Sequence, residues 1–208
     1  TFRGNAFIAD AGSNLIHRKL LKYNGVQPIA VRPKDEQERE FIASTDNWFR
    51  PVQFANAPDG CLYVADMYRE TIEHPWSIPL SIKKYLDLNS GNNRGRIWRI
   101  TYGDKTHPPL DLSAPAKTAA ALGQGNLSRR LLAMHHLADT VGKSAVPALQ
   151  QQLLQPAAAP YAAWALQRLG ALSDAAWTRL AEGKTEMKQL HALRLLAVRP
   201  EWTPAQRQ

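Results

Sequence analysis

The chain has 208 residues, 44% of them apolar and 21% charged, which excludes wholesale disorder and allows one large domain or two modest ones. Its formal charge of +8 is compatible with acidic partners, but basic residues alternate with acids, as in Glu36-Gln37-Glu38-Arg39-Glu40. No nucleic-acid reading motif accompanies them, so no specific nucleic-acid partner is expected. The single cysteine, Cys61, excludes internal disulfides and a Cys-rich zinc site; as a small residue opening an apolar strand it reads as core. No apolar run reaches the ~18 residues of a membrane span. The chain opens on Thr1-Phe2-Arg3, with neither a Met nor a signal peptide, and reads as a piece of a longer protein.

Up to about residue 105 the chain reads as strands. Ala6-Phe7-Ile8-Ala9 and Cys61-Leu62-Tyr63-Val64-Ala65 are apolar runs of strand length, each followed by an aspartate, Asp10 or Asp66. Asn14 to Leu21 and Arg96 to Ile100 mix apolar and polar residues, as strands nearer a sheet edge do. Pro58-Asp59-Gly60 predicts a hairpin turn between Val52–Ala55 and Cys61–Val64, with Pro presetting one corner and Gly supplying the positive φ. The two aspartates are 56 residues apart, whereas Ile16-His17-Arg18 and its counterpart Ile97-Trp98-Arg99 are 81 apart. One supersecondary unit therefore occurs twice, the second time with 25 extra residues between its middle strands. Small sheets repeated in this way are the mark of a β-propeller. Two repeats cannot close a ring, so the remaining blades are expected upstream.

Residues 106–112, with Pro108-Pro109, read as a linker. Beyond it, residues 113–208 are rich in Ala, Leu, Gln and Arg. Helices are expected near 113–123, 127–139, 144–155, 160–170, 173–182 and 186–198. Ser113, Ser144 and Ser173 are the expected N-caps, Gly123, Gly170 and Gly183 the stops. Ala-x-x-x-Leu recurs at Ala133/Leu137, Ala165/Leu169 and Ala192/Leu196, one stripe per helix pair, where the small residue lets a neighbouring helix approach. This predicts an all-α, HEAT-like solenoid. Trp164, Trp177 and Trp202 read as its core. His135-His136 diverge by about 100° on a helix and cannot jointly grip a metal. The fold class is thus β + α in two domains: a partial β-propeller, then helical repeats.

The strand pairing also places chemistry. If the turn at 58–60 lies at one rim, Arg50 and Asp66 emerge together at the other, where the long loop 67–93 begins. That loop holds Tyr68, Arg69, Glu70, Glu73, His74, Trp76, Lys83, Lys84 and Tyr85, a density suited to a site. Bland readings stand beside this one. Asp66 and Asp10 serve equally as turn aspartates that bond nearby backbone N–H groups. Arg50 could anchor adjacent blades, and His74-Pro75 could be a rigid corner.

Trp48-Phe49-Arg50-Pro51-Val52, then Ala57 through Glu70, then Ile72-Glu73-His74-Pro75, resembles the large predicted membrane-bound or periplasmic dehydrogenases of planctomycete and verrucomicrobial type. In that family a propeller similar to the soluble quinoprotein glucose and sorbosone dehydrogenases precedes HEAT repeats, often followed by a c-type cytochrome domain. The resemblance implies a periplasmic or cell-envelope enzyme. It would transfer hydride from a hydroxyl or aldehyde carbon of a small sugar or alcohol to pyrroloquinoline quinone (PQQ) with Ca²⁺, then pass electrons to a cytochrome. Arg50 and Arg69 would contact the cofactor's carboxylates, Tyr68 and Asp66 would complete its pocket, and His74 or Glu73 would handle the proton. No Cys-x-x-Cys-His haem motif occurs here, and the blades that carry the catalytic histidine in the quinoprotein relatives would lie upstream. These 208 residues alone are therefore expected to be inactive. The alternative is a non-catalytic propeller–HEAT scaffold for carbohydrate or a protein partner; a hydrolase using Asp66, Glu70 and Glu73 is weaker, because a loop does not fix a carboxylate separation.

Overall fold

The computed structural model describes residues 2, 4–25, 27–103, 108–199 and 201–203. The expected domain boundary at 105 lies outside the described residues, as do the first two linker positions. The chain is β + α, and it divides into two compact units: residues 1–55 with 62–102, and residues 56–61 with 103–208.

The first unit holds two sheets. In one, β1 (Asn5–Asp10), β2 (Leu15–Asn24) and β3 (Gln27–Val31) run in order, and β4 (Ile42–Ala43) also pairs with β2. In the other, β5 (Pro51–Asn56), β6 (Leu62–Asp66) and β7 (Arg96–Ile100) run in order. The sequence repeat is a repeat of register. Ile8 faces His17 and Ala9 faces Ile16 across β1–β2, just as Val64 faces Trp98 and Ala65 faces Ile97 across β6–β7. Four residues connect the first pair; Met67 to Gly95 connect the second, and that excursion carries a single helical turn, α1 (Leu80–Lys83). Ile16, Phe49 and Val64 are buried together, with Phe7, Phe41, Ile42, Phe54, Leu62 and Ile100 packed around them. Alternate residues of β6 thus point inward, as period-2 patterning requires.

In the second unit, the turn at 57–60 forms as its chemistry dictates. Gly60 takes φ +83° and donates its N–H to the Ala57 carbonyl at 3.0 Å, while the Asp59 carboxylate accepts the Cys61 N–H at 3.0 Å. Cys61 is buried. Asn126 and Arg129 reach the same turn, donating to the carbonyls of Ala57 (2.9 Å) and Pro58 (3.2 Å). Arg129 is itself buried and also donates to the Pro108 carbonyl at 2.6 Å.

The helices of this unit are α2 (Pro115–Ala120), α3 (Leu127–His135), α4 (Val146–Gln152), α5 (Ala159–Arg168), α6 (Asp174–Ala181) and α7 (Glu186–Ala197). All six expected helices have counterparts, with corrected ends. Ser113 caps nothing: Asp111 captures both its N–H and its hydroxyl, at 3.0 and 2.6 Å, and α2 starts after Ala114 without a side-chain cap. The Asp111 carboxyl is held down at about 2, chiefly by the Ser113 hydroxyl. Ser144 donates back to the Val141 carbonyl instead of capping; Pro147, which lacks an N–H to be capped, sits in the first turn of α4. The expected helix 127–139 passes from α3 into a π-helical turn, His136–Val141, which Gly142 stops at φ +69°. Asn126, Ser173 and Thr185 do cap α3, α6 and α7, and Gly170 follows α5 at φ +66°.

Two apolar clusters run through the helices. One gathers Leu122, Ala133, Leu137, Leu149, Ala162, Ala165 and Leu166. The other gathers Ala159, Ala163, Trp177, Leu180, Ala192, Leu195 and Leu196. Of the three Ala-x-x-x-Leu pairs only Leu169 falls short of full burial. Trp177 is core, and its indole donates to the Ala192 carbonyl at 2.9 Å. Trp164 packs against the second cluster at its edge. Trp202 departs from the expectation: it follows α7 and remains 46% exposed.

The difference between the two serines is testable. Ser173→Ala is expected to cost about 1 kcal/mol of stability in urea unfolding, as loss of a cap does. Ser144→Ala should stay within about 0.5 kcal/mol. Equal losses would contradict these capping assignments.

Candidate functional site

At the end of β6 the Asp66 side chain is fully enclosed, and three N–H groups converge on it. Oδ1 accepts from the backbone of Arg50 at 2.8 Å and of Tyr68 at 2.9 Å. Oδ2 accepts from the Trp98 indole at 2.9 Å, with Arg96 Nε 3.7 Å away. A buried carboxylate requires such partners, since an unpaired one is strongly disfavoured.

Arg50 is equally occupied. Its Nε donates to the Arg69 carbonyl at 3.0 Å, Nη1 to that of Ala11 at 2.8 Å, and Nη2 to that of Glu70 at 3.0 Å; Nη1 also lies 3.4 Å from the Gly12 carbonyl. Asn14, at φ +58°, donates to the carbonyls of Asn47 and Phe49 at 3.0 and 2.7 Å. The turn after β1, the segment before β5 and the start of the long loop are thereby laced together. Arg50 and Asp66 do meet, through the backbone N–H of Arg50 rather than its guanidinium.

Tyr68 has φ +50°, an unusual conformation for a residue with a side chain. Several contacts hold it: Asp66 takes its N–H, the Arg96 guanidinium lies 3.6 Å from its ring centroid, and Trp48 stands at 5.6 Å. Arg96 also lies 5.6 Å from the ring of Trp98, which is 44% exposed. Trp48, Tyr68, Arg96 and Trp98 thus form a cation–aromatic stack at the mouth of the loop. Of these only Tyr68 stood out in the sequence as a site residue; Arg96 and Trp98 lie some 30 residues on, and only the β6–β7 register would have revealed them. The loop returns through Gly91, at φ +85°, where a Cβ would come within 2.2 Å of the Tyr68 carbonyl oxygen.

The remaining candidates are spread along the loop. Arg69 donates to the Asn89 carbonyl at 3.0 Å. His74 and Glu73 are exposed, and among the described residues neither contacts Arg50, Asp66, Tyr68 or Arg69 through a hydrogen bond or ion pair. His74 Nδ1 accepts the Trp76 N–H at 3.2 Å, which in the neutral ring leaves the proton on Nε2. In that state His74 can donate to a ligand, whereas the Glu73 carboxylate can accept.

A quinone tricarboxylate with Ca²⁺ asks for free cationic donors and a cluster of oxygen ligands. Arg69 and Arg96 retain N–H groups, while Arg50 has spent nearly all of its own. Among the described residues no group of three acids, histidines or cysteines is arranged to hold a metal ion. Among the described residues, too, no helix is long and apolar enough to cross a membrane.

The first sheet carries a second polar network at the equivalent place. Asp10 accepts the Ser13 N–H at 3.0 Å, and its Oδ2 lies 4.0 Å from His17 Nε2. His17 Nδ1 bonds Glu40 at 2.6 Å, and Glu40's other oxygen accepts from Arg32 at 2.9 Å.

These features define a twice-repeated sheet unit whose aspartate-centred corner anchors a long loop. A family model described as a domain of unknown function, DUF7133, matches residues 1–104, and the chain belongs to that family. No curated protein and no solved structure matches it.

Two predictions follow from the geometry. Gly91→Ala meets the Tyr68 carbonyl and is expected to cost ~2 kcal/mol or more. Gly103→Ala, also at positive φ but with open space around it, should cost only the ~1 kcal/mol of backbone strain; comparable losses in denaturant unfolding would sink the close-contact account. Glu40 supplies the pH dependence. Hydrogen bonds from Arg32 first, then His17, lower its pKa below the ordinary 4.5. A lowered folded value means stabilisation present above pH 4.5 and lost as pH falls through the folded pKa. Glu40→Gln should flatten that acid limb of stability; an unchanged limb would remove Glu40 from the account.

Proposed function

We propose that residues 1–103 are two repeats of a β-propeller and the helical unit a HEAT-like array. The intact protein is then a quinoprotein-type sugar or alcohol dehydrogenase of the cell envelope, in which this part forms a substrate-facing rim. The observation that carries the propeller is the identical register of β1–β2 and β6–β7, each ending on an aspartate that organises its connection. The redox chemistry comes from the resemblance of residues 4–103 to that family.

On this reading Arg50 and Asp66 are positioning residues, because backbone groups and, for Asp66, the Trp98 indole consume them. Contacts to an anionic or hydroxyl-rich ligand pass to Arg69 and Arg96, with Tyr68 and Trp98 as the flat apolar faces on which a sugar stacks. Glu73 accepts the hydroxyl proton and His74 donates to a neighbouring oxygen. Arg69 also keeps donors for a carboxylate of the quinone, and a cytochrome takes the electrons. The scaffold reading has its own support, since Arg50 and Asp66 are largely taken up by other groups of the chain; there the loop mouth binds carbohydrate without turnover.

The test uses the full-length protein containing this chain. PQQ binding, with and without Ca²⁺, is measured together with quinone-dependent reduction of an artificial electron acceptor by a panel of sugars and alcohols. Binding and turnover are expected, with Arg96→Ala raising KM at least about tenfold, while Arg50→Ala lowers Tm. A folded protein that neither binds PQQ nor reduces the acceptor would overturn the dehydrogenase reading, and carbohydrate binding by that protein would establish the scaffold.

A further inference from the structure

The helical unit contains a groove lined by apolar residues and by one sign of charge. It lies between the α4–α5 and α6–α7 helix pairs, beside the second apolar cluster, with a volume of about 290 Å³. Both walls are helices inside the unit, so the groove is a seam between packed pairs. Ala159 and Leu180, both buried, form its floor; Leu153 and the 64% exposed Leu154 form one wall. Ala176 borders it from α6, where a larger side chain would fill the space. Among the described residues the charged groups that line it are Arg179 and Lys188 alone.

Neither cation is engaged by the chain. Among the described residues the side chains of Arg179 and Lys188 form no hydrogen bond or ion pair, although Glu182 stands one turn beyond Arg179. Lys188 is also held in place. A Cβ added at Gly183 would lie 2.6 Å from its Cδ and 2.9 Å from its Cβ, so the lysine stem occupies the room that another side chain would need. Gly183 does not have a positive φ; its smallness serves this contact. Two unpaired cations over an apolar floor suit a ligand that is apolar along its length and anionic at one end. An inorganic anion would leave the floor unused, and a neutral chain would leave the charges unused. The volume is at the low end of ligand sites, which span roughly 300–1,000 Å³, and is too small for a helix about 10 Å across. A single alkyl chain fits. We propose that the groove binds a medium-chain alkyl carboxylate, with its chain on Ala159, Leu180 and the two leucines and its carboxylate on Arg179 and Lys188. This ligand is separate from the redox chemistry proposed for the first unit.

The experiment is calorimetric titration of the 208-residue chain with sodium octanoate, and with hexanoate, octanol and acetate for comparison. Circular dichroism verifies helix content. Saturable binding of one octanoate is expected. Hexanoate, with two fewer methylenes to bury, should bind roughly tenfold more weakly, and acetate should not bind measurably. Octanol should be at least about fivefold weaker than octanoate, because it offers the cations no charge. Arg179→Gln and Lys188→Gln should each weaken octanoate and leave octanol unchanged. Ala176→Phe, which fills the groove, should abolish binding of both with helix content unchanged. Absence of saturable octanoate binding, octanol binding as tightly as octanoate, or octanoate binding indifferent to Ala176→Phe and to both glutamine variants would overturn the proposal.

Discussion

The first unit depends on one enclosed carboxylate. Asp66 has no access to water, so its two oxygens must be satisfied by the protein. They are satisfied from three places along the chain: the residue before β5 through Arg50, the adjoining start of the loop through Tyr68, and β7 through Trp98. Removing any one donor would leave a buried charge under-solvated, so the three positions are coupled more tightly than their individual hydrogen bonds, each worth about 1 kcal/mol, would imply. Arg50 extends the same logic outward, because its guanidinium fixes carbonyls at 11, 69 and 70 that have no strand partner of their own.

Much of this was legible in the sequence, for local reasons. Pro58 to Gly60 forms the turn its residues require, and the aspartate repeat appears as a shared register because alternation leaves little freedom to slip. The helices were legible from periodicity and from Gly170 and Ser173. Their exact starts were not: Ser113 and Ser144 look like caps, but Asp111 and Pro147 redirect the hydrogen bonds that would have made them so. A side chain competing for the same donor cannot be ranked from spacing alone.

The site was legible in composition and not in arrangement. Arg50 looks like an anion ligand because it is cationic and stands beside a strand-end aspartate; that its donors meet carbonyls depends on where three loops cross. The positive φ of Tyr68 has no signature in a tyrosine, although Gly91, its steric counterpart, does carry one. Arg96 and Trp98 escaped notice because the loop separates them from Tyr68 along the chain, and the register alone reunites them.

The two aspartates show how one corner is scaled to different work. After β1 the chain turns in four residues, and Asp10 closes that turn by accepting from Ser13 and Gly12; His17, which pairs with Ile8, lies 4.0 Å from its carboxylate. After β6 the chain leaves for 29 residues. Ordering the ends of a longer loop costs more entropy, though the cost grows only logarithmically. At the same register Trp98 replaces His17 and closes to 2.9 Å, and the backbone of Arg50 adds a second anchor. The insertion is thus accompanied by a change of anchors on the same aspartate, Arg50 and Trp98 from distant segments in place of the local Ser13 and Gly12. A loop so anchored can present varied side chains at its mouth without disturbing the sheet beneath. This is why the polar groups with free valence, Arg69, Glu73, His74 and Arg96, lie on or beside the excursion while Asp66 and Arg50 are sealed below it.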